Sequence, residues 1–283
     1  MASATSAKSL CYTGERLFTG KLDMIEKRWD AFWALPYSKD DVLAYLRNER
    51  DHRWAIDLRE NPKWIQPNNI FRNYKGPILA EGRDAFLLGN ARSYHVGQEL
   101  EKPERAGMSM IHILAIPKLG FFNGVSLNAE NVSIIDDMIA LFKLNWEKEE
   151  FRKSVLGHQL NTVDEAAKHR LEALNEHESG SAAARQSIME AHDLATRCLR
   201  WFEEDVLKAT YEDFQFGLHL FPQQSISHLH MHIVLTPWRF RQFSTFANDK
   251  KTVDALELRD FVKTKRDDPN HPSMIQWETK ERL

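Results

Sequence analysis

Hydrophobic residues recur every three or four positions in several stretches, which predicts amphipathic helices. The apolar positions between Leu22 and Leu35 follow this spacing, and Pro36 ends the segment. Together with the next stretch, they predict about two helices near the N-terminus. The other stretches with helical spacing are 38–50, 128–150, 182–208 and 253–263.

Short apolar runs between turn residues predict the strands of a sheet. The runs Pro77–Glu81 and Asp84–Leu88 flank Gly82 and Arg83, which is the pattern of a hairpin. Three later runs are longer or more strongly apolar, and each is bounded by proline or polar residues. They predict strands at 108–116, 214–221 and 227–235.

Composition narrows the class of protein without identifying it. The chain has 283 residues, of which 42% are hydrophobic and 28% charged, and its formal net charge is −3. These values are typical of globular proteins and do not favour broad binding to nucleic acid or membranes. Cys11 and Cys198 form neither a disulfide framework nor a zinc motif. With no secretory signal and no apolar stretch of membrane-spanning length, we expect a cytoplasmic protein.

The most informative segment is His228–His232, in which three histidines alternate with Leu229 and Met231. On a strand, successive side chains point to opposite faces, so the three imidazoles are expected on one face. Leu229, Met231 and Ile233 would then face the core. The outer two histidines would lie about 13 Å apart along the strand.

Nucleophilic catalysis by His230 is the favoured interpretation of this row. Imidazole attacks phosphorus and forms a labile phosphoramidate, and His228 and His232 would orient the ring or bind the phosphate. Neighbouring imidazoles also resist simultaneous protonation, which keeps the nucleophile neutral. Two alternatives stay open: a metal ion shared by two of the histidines, or a purely structural row. Because no second ligand motif accompanies them, we expect neither a metal nor a cofactor.

Two elements of the sequence resemble the histidine triad (HIT) superfamily. Residues Gln224–Val234 resemble its signature, and His112–Lys118 resembles its strand that ends in Ile-Pro-Lys. The resemblance covers roughly residues 69–240. It implies an α+β fold with a HIT-like antiparallel sheet and flanking helices, beside the helical N-terminal extension. It also implies a nucleotide-binding hydrolase or transferase that forms a homodimer and needs no metal.

The extent of the resemblance predicts three regions. Residues 1–68 would form a helical extension, and 69–240 would form the catalytic domain with a helical insertion near 150–185. Residues 241–283 would form a C-terminal extension.

Carried over to this chain, the resemblance also assigns site residues. His230 would be the nucleophile, His228 and His232 its supporting pair, and Gln224 and Ser225 would lie at the phosphate. The hydroxyl and amide of Ser225 could stabilise an anionic oxygen.

Four further residues are candidates for substrate or phosphate binding. Asn90 stands where the family commonly has an acid that holds the ribose, and His219 stands near the position of an asparagine. Lys118 could meet phosphate, or it could be a solvated lysine at the end of a strand. His112 could belong to the site or be a core histidine satisfied by the backbone, and His219 has similar structural alternatives.

Three functions follow as hypotheses. The first is a nucleotidyl hydrolase or transferase acting on a phosphoramidate, a dinucleoside polyphosphate or a cap-like substrate. The second is an enzyme of the same fold recruited to acid–base chemistry on a non-nucleotide metabolite. The third is a catalytically silent nucleotide-binding module. In each case the expected partner is a small molecule rather than duplex nucleic acid or a membrane.

Overall fold

The protein is described by a computed structural model. It describes residues 17–36, 38–47, 71, 74, 76–93, 107–176, 182–224, 226–242, 244 and 247–265. No helix within these ranges is both long enough and apolar enough to cross a membrane.

The two predicted N-terminal helices are present. Helix α1 spans Leu22–Trp33 and helix α2 spans Ser38–Leu46, so Pro36 lies between them. The buried residues of α1 recur at intervals of three and four, as the sequence indicated, and they are Ile25, Trp29, Phe32 and Trp33.

A mixed sheet and helix architecture places the chain in the α+β class. Six antiparallel strands form one sheet in the order β1-β2-β3-β5-β4-β6. The strands are β1 Ala80–Glu81, β2 Ala85–Gly89, β3 His112–Pro117, β4 Phe214–His219, β5 Met231–Leu235 and β6 Thr252–Asp254. The predicted hairpin corresponds to β1 and β2.

The remaining helices follow the sheet strands or connect them. They are α3 Ile134–Trp146, α4 Glu149–Glu176, α5 Ala182–Trp201, α6 Glu203–Lys208, α7 Ala247–Lys251 and α8 Ala255–Thr264. The helix predicted at 182–208 is therefore interrupted at Phe202. The helix predicted from Val253 begins later, because Asp254 caps α8 through the backbone amides of Leu256 and Glu257.

The sheet has two distinct faces. One face, here called the helix-covered face, presents Leu87, Ile113 and Met231 to a large apolar core shared with α1, α3, α4 and α8. The other, here called the histidine face, presents His112 and His232 together with smaller apolar clusters. Strand periodicity explains the division, since alternate residues of one strand point to opposite sides.

Segments from both predicted extensions contribute to this sheet and its surroundings. Strand β6 pairs with β4, with Thr252 opposite His219. Helix α1 packs against α8, and the Lys21 ammonium donates to the carbonyl oxygen of Thr252 at 2.6 Å. The segments around Lys21 and Thr252 thus meet beside one edge of the sheet.

Candidate functional site

The histidine segment enters the sheet later than the sequence pattern predicted. Strand β5 begins at Met231, so His228 and His230 precede it and only His232 lies within it. The reason is that the Leu229 amide donates to the carbonyl oxygen of Phe121 at 2.7 Å and not to a neighbouring strand. The alternation of faces nevertheless holds, because Leu229, Met231 and Ile233 lie in the main core.

Five imidazoles converge on the histidine face. Each is at most 7% exposed, and the five are His112, His219, His228, His230 and His232. The ring centroid of His232 lies 4.2 Å from that of His219, 5.0 Å from that of His230 and 5.1 Å from that of His112. His232 is therefore the centre of the cluster.

The hydrogen bond of His230 determines which of its nitrogen atoms is free. Nδ1 lies 2.8 Å from the carbonyl oxygen of His228. A carbonyl oxygen only accepts, so Nδ1 carries the proton and, in the neutral ring, Nε2 carries the lone pair. Burial lowers the pKa of His230. The hydrogen bond to the His228 carbonyl oxygen opposes this and Lys251 adds to it, and the net lowering favours that neutral ring.

A chain of hydrogen bonds fixes the tautomer of His232. The Arg92 amide donates to Oδ1 of Asn90 at 2.8 Å, which turns the Asn90 Nδ2 group toward His112. Nδ2 lies 3.0 Å from Nδ1 and 3.3 Å from Nε2 of that ring, so Nδ1 is the nearer acceptor. His112 then donates from Nε2 to Nδ1 of His232 at 2.9 Å. The proton of His232 consequently sits on Nε2, which is buried and has no hydrogen-bond partner among the described residues.

His219 has the opposite arrangement. The hydroxyl of Thr252 donates to the carbonyl oxygen of Asn248 at 2.6 Å, so it accepts from Nε2 of His219 at 2.9 Å. Nδ1 of His219 is thereby left with a lone pair, and it too is buried without a partner within the described ranges. Thus His232 presents a donor and His219 an acceptor.

His228 has both ring nitrogen atoms engaged by the protein. Nε2 lies 3.0 Å from the carbonyl oxygen of Pro117, and Nδ1 lies 3.1 Å from the hydroxyl of Tyr45. That hydroxyl donates to the carbonyl oxygen of Ser227 at 2.6 Å. These bonds make His228 an anchor that holds the segment next to the end of β3.

Burial is the largest influence on the basicity of the cluster. It lowers the pKa of His112 to about 3 and the pKa values of His219 and His232 well below their ordinary value. Neighbouring histidines lower them further. All three rings are therefore neutral near pH 7, which the tautomer assignments above require.

An aromatic and aliphatic surface borders the site on the side of His228. The ring centroid of Phe71 lies 5.3 Å from that of His230 and 6.1 Å from that of His228. Phe71 belongs to one of the two apolar clusters of this face. The other buried members are Phe86, Leu88, Leu114 and Ile116, and Tyr74 and Ile226 pack against them.

The other sequence-predicted residues have mixed placements. Gln224 is buried, and its side-chain amide has no described hydrogen-bond partner. Ser225 lies outside the described residues. Lys118 forms an ion pair with Glu81, with Nζ 2.6 Å from Oε1, at the exposed hairpin. Asn90 contacts His112, so its amide positions an imidazole.

Several contributing residues were missed by sequence reasoning. Thr252 lies in a three-residue strand, too short for a period to be read. Tyr45 and Phe71 were not singled out, because no local pattern connects them with the histidines. The pairing of β6 with β4, which brings Thr252 to His219, depends on tertiary structure alone.

Within the described ranges, no group of three His, Cys, Asp or Glu side chains is arranged to hold a metal ion. Comparisons of this chain with protein-family models, curated proteins and solved structures find no match.

Proposed function

We propose that the protein is a nucleotidyl hydrolase or transferase that uses His230 as its nucleophile. The observation that carries this proposal is the bond from His230 Nδ1 to the carbonyl oxygen of His228. It directs the lone pair to Nε2, while burial keeps the ring neutral. An imidazole prepared in this way is suited to attack phosphorus.

The reaction would proceed in two displacements. In the first, Nε2 of His230 forms a bond to phosphorus as the bond to the leaving group breaks, and the leaving group takes that electron pair. The His230 ring becomes a cation, which the carbonyl oxygen of His228 stabilises through the Nδ1 proton. In the second, water or another acceptor bonds to phosphorus, the Nε2–P pair returns to the ring, and the acceptor's proton is released.

His232 would assist both displacements as a hydrogen-bond donor. Its Nε2–H group is buried and unpartnered among the described residues, and a phosphoryl oxygen would satisfy it. A donor held in place before the reaction stabilises charge that develops on such an oxygen.

The resemblance to the HIT superfamily supports the same proposal. The antiparallel sheet brings the His112–Lys118 element beside the histidine segment, with Leu114 opposite His232. A HIT-like fold would account for this neighbourhood. With such a fold we also expect a homodimer, and a nucleoside that binds against the aromatic side of the site.

The test compares turnover of adenosine 5′-phosphoramidate and diadenosine tetraphosphate by the wild type and by His230→Ala. We expect at least about a thousandfold loss in the variant. His169→Ala, which removes an exposed histidine on α4, is the matched control and should retain activity. Intact-protein mass spectrometry of the quenched wild type should show a nucleotidyl adduct that His230→Ala lacks. Absence of turnover together with absence of AMP binding by calorimetry would reject the proposal.

A second candidate, acid–base chemistry on a non-nucleotide metabolite, is favoured by one observation. His219 presents a lone pair and His232 presents a proton, on rings whose centroids are 4.2 Å apart. Such a pair can remove and return a proton without a covalent intermediate. This candidate predicts that activity survives His230→Ala, is lost in His219→Ala, and never produces a nucleotidyl adduct.

A further inference from the structure

Two cations act on the histidines of the site in the described part of the chain. The charged residues that shift the pKa values of His219, His230 and His232, beyond the histidines themselves, are Lys251 and Arg28. Both are cations, and both come from segments outside the region that resembles the HIT superfamily. His219 is the histidine on which both cations act.

Lys251 is positioned by the edge of the sheet. It is the last residue of α7 and directly precedes Thr252, whose hydroxyl bonds to His219. Its ammonium is half-buried and has no hydrogen-bond or ion-pair partner among the residues described, and burial lowers its pKa. Lys21 nearby differs, because its ammonium donates to the carbonyl oxygens of Asp249 and Thr252. A partly desolvated cation without a counter-ion is stabilised when an anion binds.

Arg28 acts on His219 from α1. Its guanidinium donates to the carbonyl oxygen of Leu220 at 3.3 Å and to Oε1 of Gln223. It is thereby fixed against the loop that leads from β4 to the histidine segment. Guanidinium has five N–H donors in a planar fork, so donors remain for phosphate oxygens.

Buried polar atoms of the histidine segment and of the loop before it also lack protein partners. They include Nε2 of His232 and both side-chain polar atoms of Gln224, within the described ranges. Buried donors are usually satisfied, and a ligand is one way to satisfy them. Among the described residues the opposite end of the site, at Phe71, is apolar, so a chain of phosphates is better placed beside the two cations.

We infer that Lys251 and Arg28 form an anion subsite that holds the phosphate chain leaving from the nucleotide attacked by His230. This inference rests on the proposed function, and it selects the phosphoanhydrides among its substrates. When Nε2 of His230 bonds to the α-phosphorus, the bond to the bridging oxygen breaks and that oxygen keeps the electron pair. The departing phosphate chain gains negative charge, which the two cations stabilise without any proton transfer. An amine leaving from a phosphoramidate would draw no such benefit.

The kinetic test compares Lys251→Met with Lys250→Met, a matched control at an exposed lysine on the same helix. For diadenosine tetraphosphate, Lys251→Met should lower kcat/KM by at least about tenfold, which is the loss of one charge-assisted hydrogen bond. For adenosine 5′-phosphoramidate it should change kcat/KM by less than about twofold, as should Lys250→Met for both substrates. Equal losses on the two substrates, or no loss on either, would overturn the assignment.

A binding measurement tests this inference independently of the proposed function. Calorimetry with inorganic tripolyphosphate on the His230→Ala background should detect binding that Lys251→Met weakens by about tenfold and Lys250→Met leaves unchanged. That result supports the subsite even if the wild type turns over neither nucleotide. Failure of tripolyphosphate to bind would overturn the subsite, even if His230 proves to be the nucleophile.

Discussion

The two faces of the sheet use buried side chains for different purposes. On the helix-covered face, Ile113, Met231 and Ile233 are fully buried among other apolar groups. On the histidine face, His219 and His232 are nearly as buried, yet each retains a polar atom without a described partner. The same strands carry both the apolar side chains and the imidazoles. Strand geometry alone therefore does not decide which face contributes more to the stability of the fold.

The difference lies in what the surroundings satisfy. Apolar side chains need only close packing, which the helices provide. Buried imidazoles need hydrogen-bond partners, and this protein supplies them at one nitrogen of His219, His230 and His232 while leaving the other nitrogen available. Unsatisfied buried polar atoms lower stability, so a ligand that bonded to these nitrogen atoms would stabilise the histidine face.

Adjacent substitutions on β5 give the largest expected contrast in stability between the two faces. Ile233→Ala should lower the free energy of unfolding by about 2–5 kcal/mol, because it opens a cavity in the main core. His232→Ala should cost less than about 2 kcal/mol, because it removes an unpartnered buried nitrogen as well as a hydrogen bond. Urea denaturation of both variants measures the difference. Equal losses would mean that the histidine face contributes to stability as the core does.

Acid should lower the free energy of unfolding through the buried imidazoles of the histidine face. The pKa of His112 is about 3 in the folded protein and 6.5 as the ordinary value. Between these values the unfolded chain binds the proton and the folded chain does not, so stability falls as pH falls from 6.5 toward 3. His112 should contribute about 1.4 kcal/mol per pH unit within this interval.

The measurement is the free energy of unfolding at several pH values for the wild type and for His112→Gln. The variant should show a shallower decline with acid by the amount stated. An identical slope in His112→Gln and the wild type would show that His112 is protonated in the folded protein.

Substitution of Asn90 should exchange the donor and acceptor nitrogen atoms of His112 and His232. Asn90→Asp replaces the donor facing His112 with an acceptor, so the His112 proton moves to Nδ1 or the ring becomes charged. In the first case His232 would donate from Nδ1 and lose its free Nε2–H group. We expect about a tenfold loss in kcat, the value of one charge-assisted hydrogen bond, with KM less affected.

Asn90→Ala is the companion variant, because it removes the donor without imposing an acceptor. Its kcat should lie between those of the wild type and Asn90→Asp. Nitrogen-15 NMR of the imidazoles should report the changed His232 tautomer in Asn90→Asp only. If Asn90→Asp instead improves nucleotide binding and turnover, then position 90 holds the ribose, as the acid of the HIT superfamily would.

The features that the sequence predicts correctly are those that depend on a local pattern. Helix α1 begins at the predicted Leu22, the hairpin forms around Gly82, and the alternation of Leu229 and Met231 assigns them correctly to the core. Each of these features depends on residues close together in the chain. The period of the apolar positions therefore carries the necessary information.

The parts that sequence reasoning missed depend on distant contacts. His228 and His230 fall outside β5 because Leu229 bonds to Phe121, a loop residue far away in sequence. Asn90 acts on His112 through an amide orientation set by Arg92. Thr252 reaches His219 only after β6 joins the sheet. No periodicity encodes such pairings, so they become visible only in three dimensions.

Lys118 provides the smallest expected effect and separates a sequence-predicted residue from the site itself. Its ammonium is paired with an exposed Glu81, an arrangement that contributes about 0–1 kcal/mol to stability. Lys118→Met should therefore change the free energy of unfolding by less than about 1 kcal/mol and turnover by less than about twofold. Glu81→Gln is the matched control, since it breaks the same ion pair from the other side. A loss of turnover in Lys118→Met but not in Glu81→Gln would mean that Lys118 leaves its partner to bind phosphate.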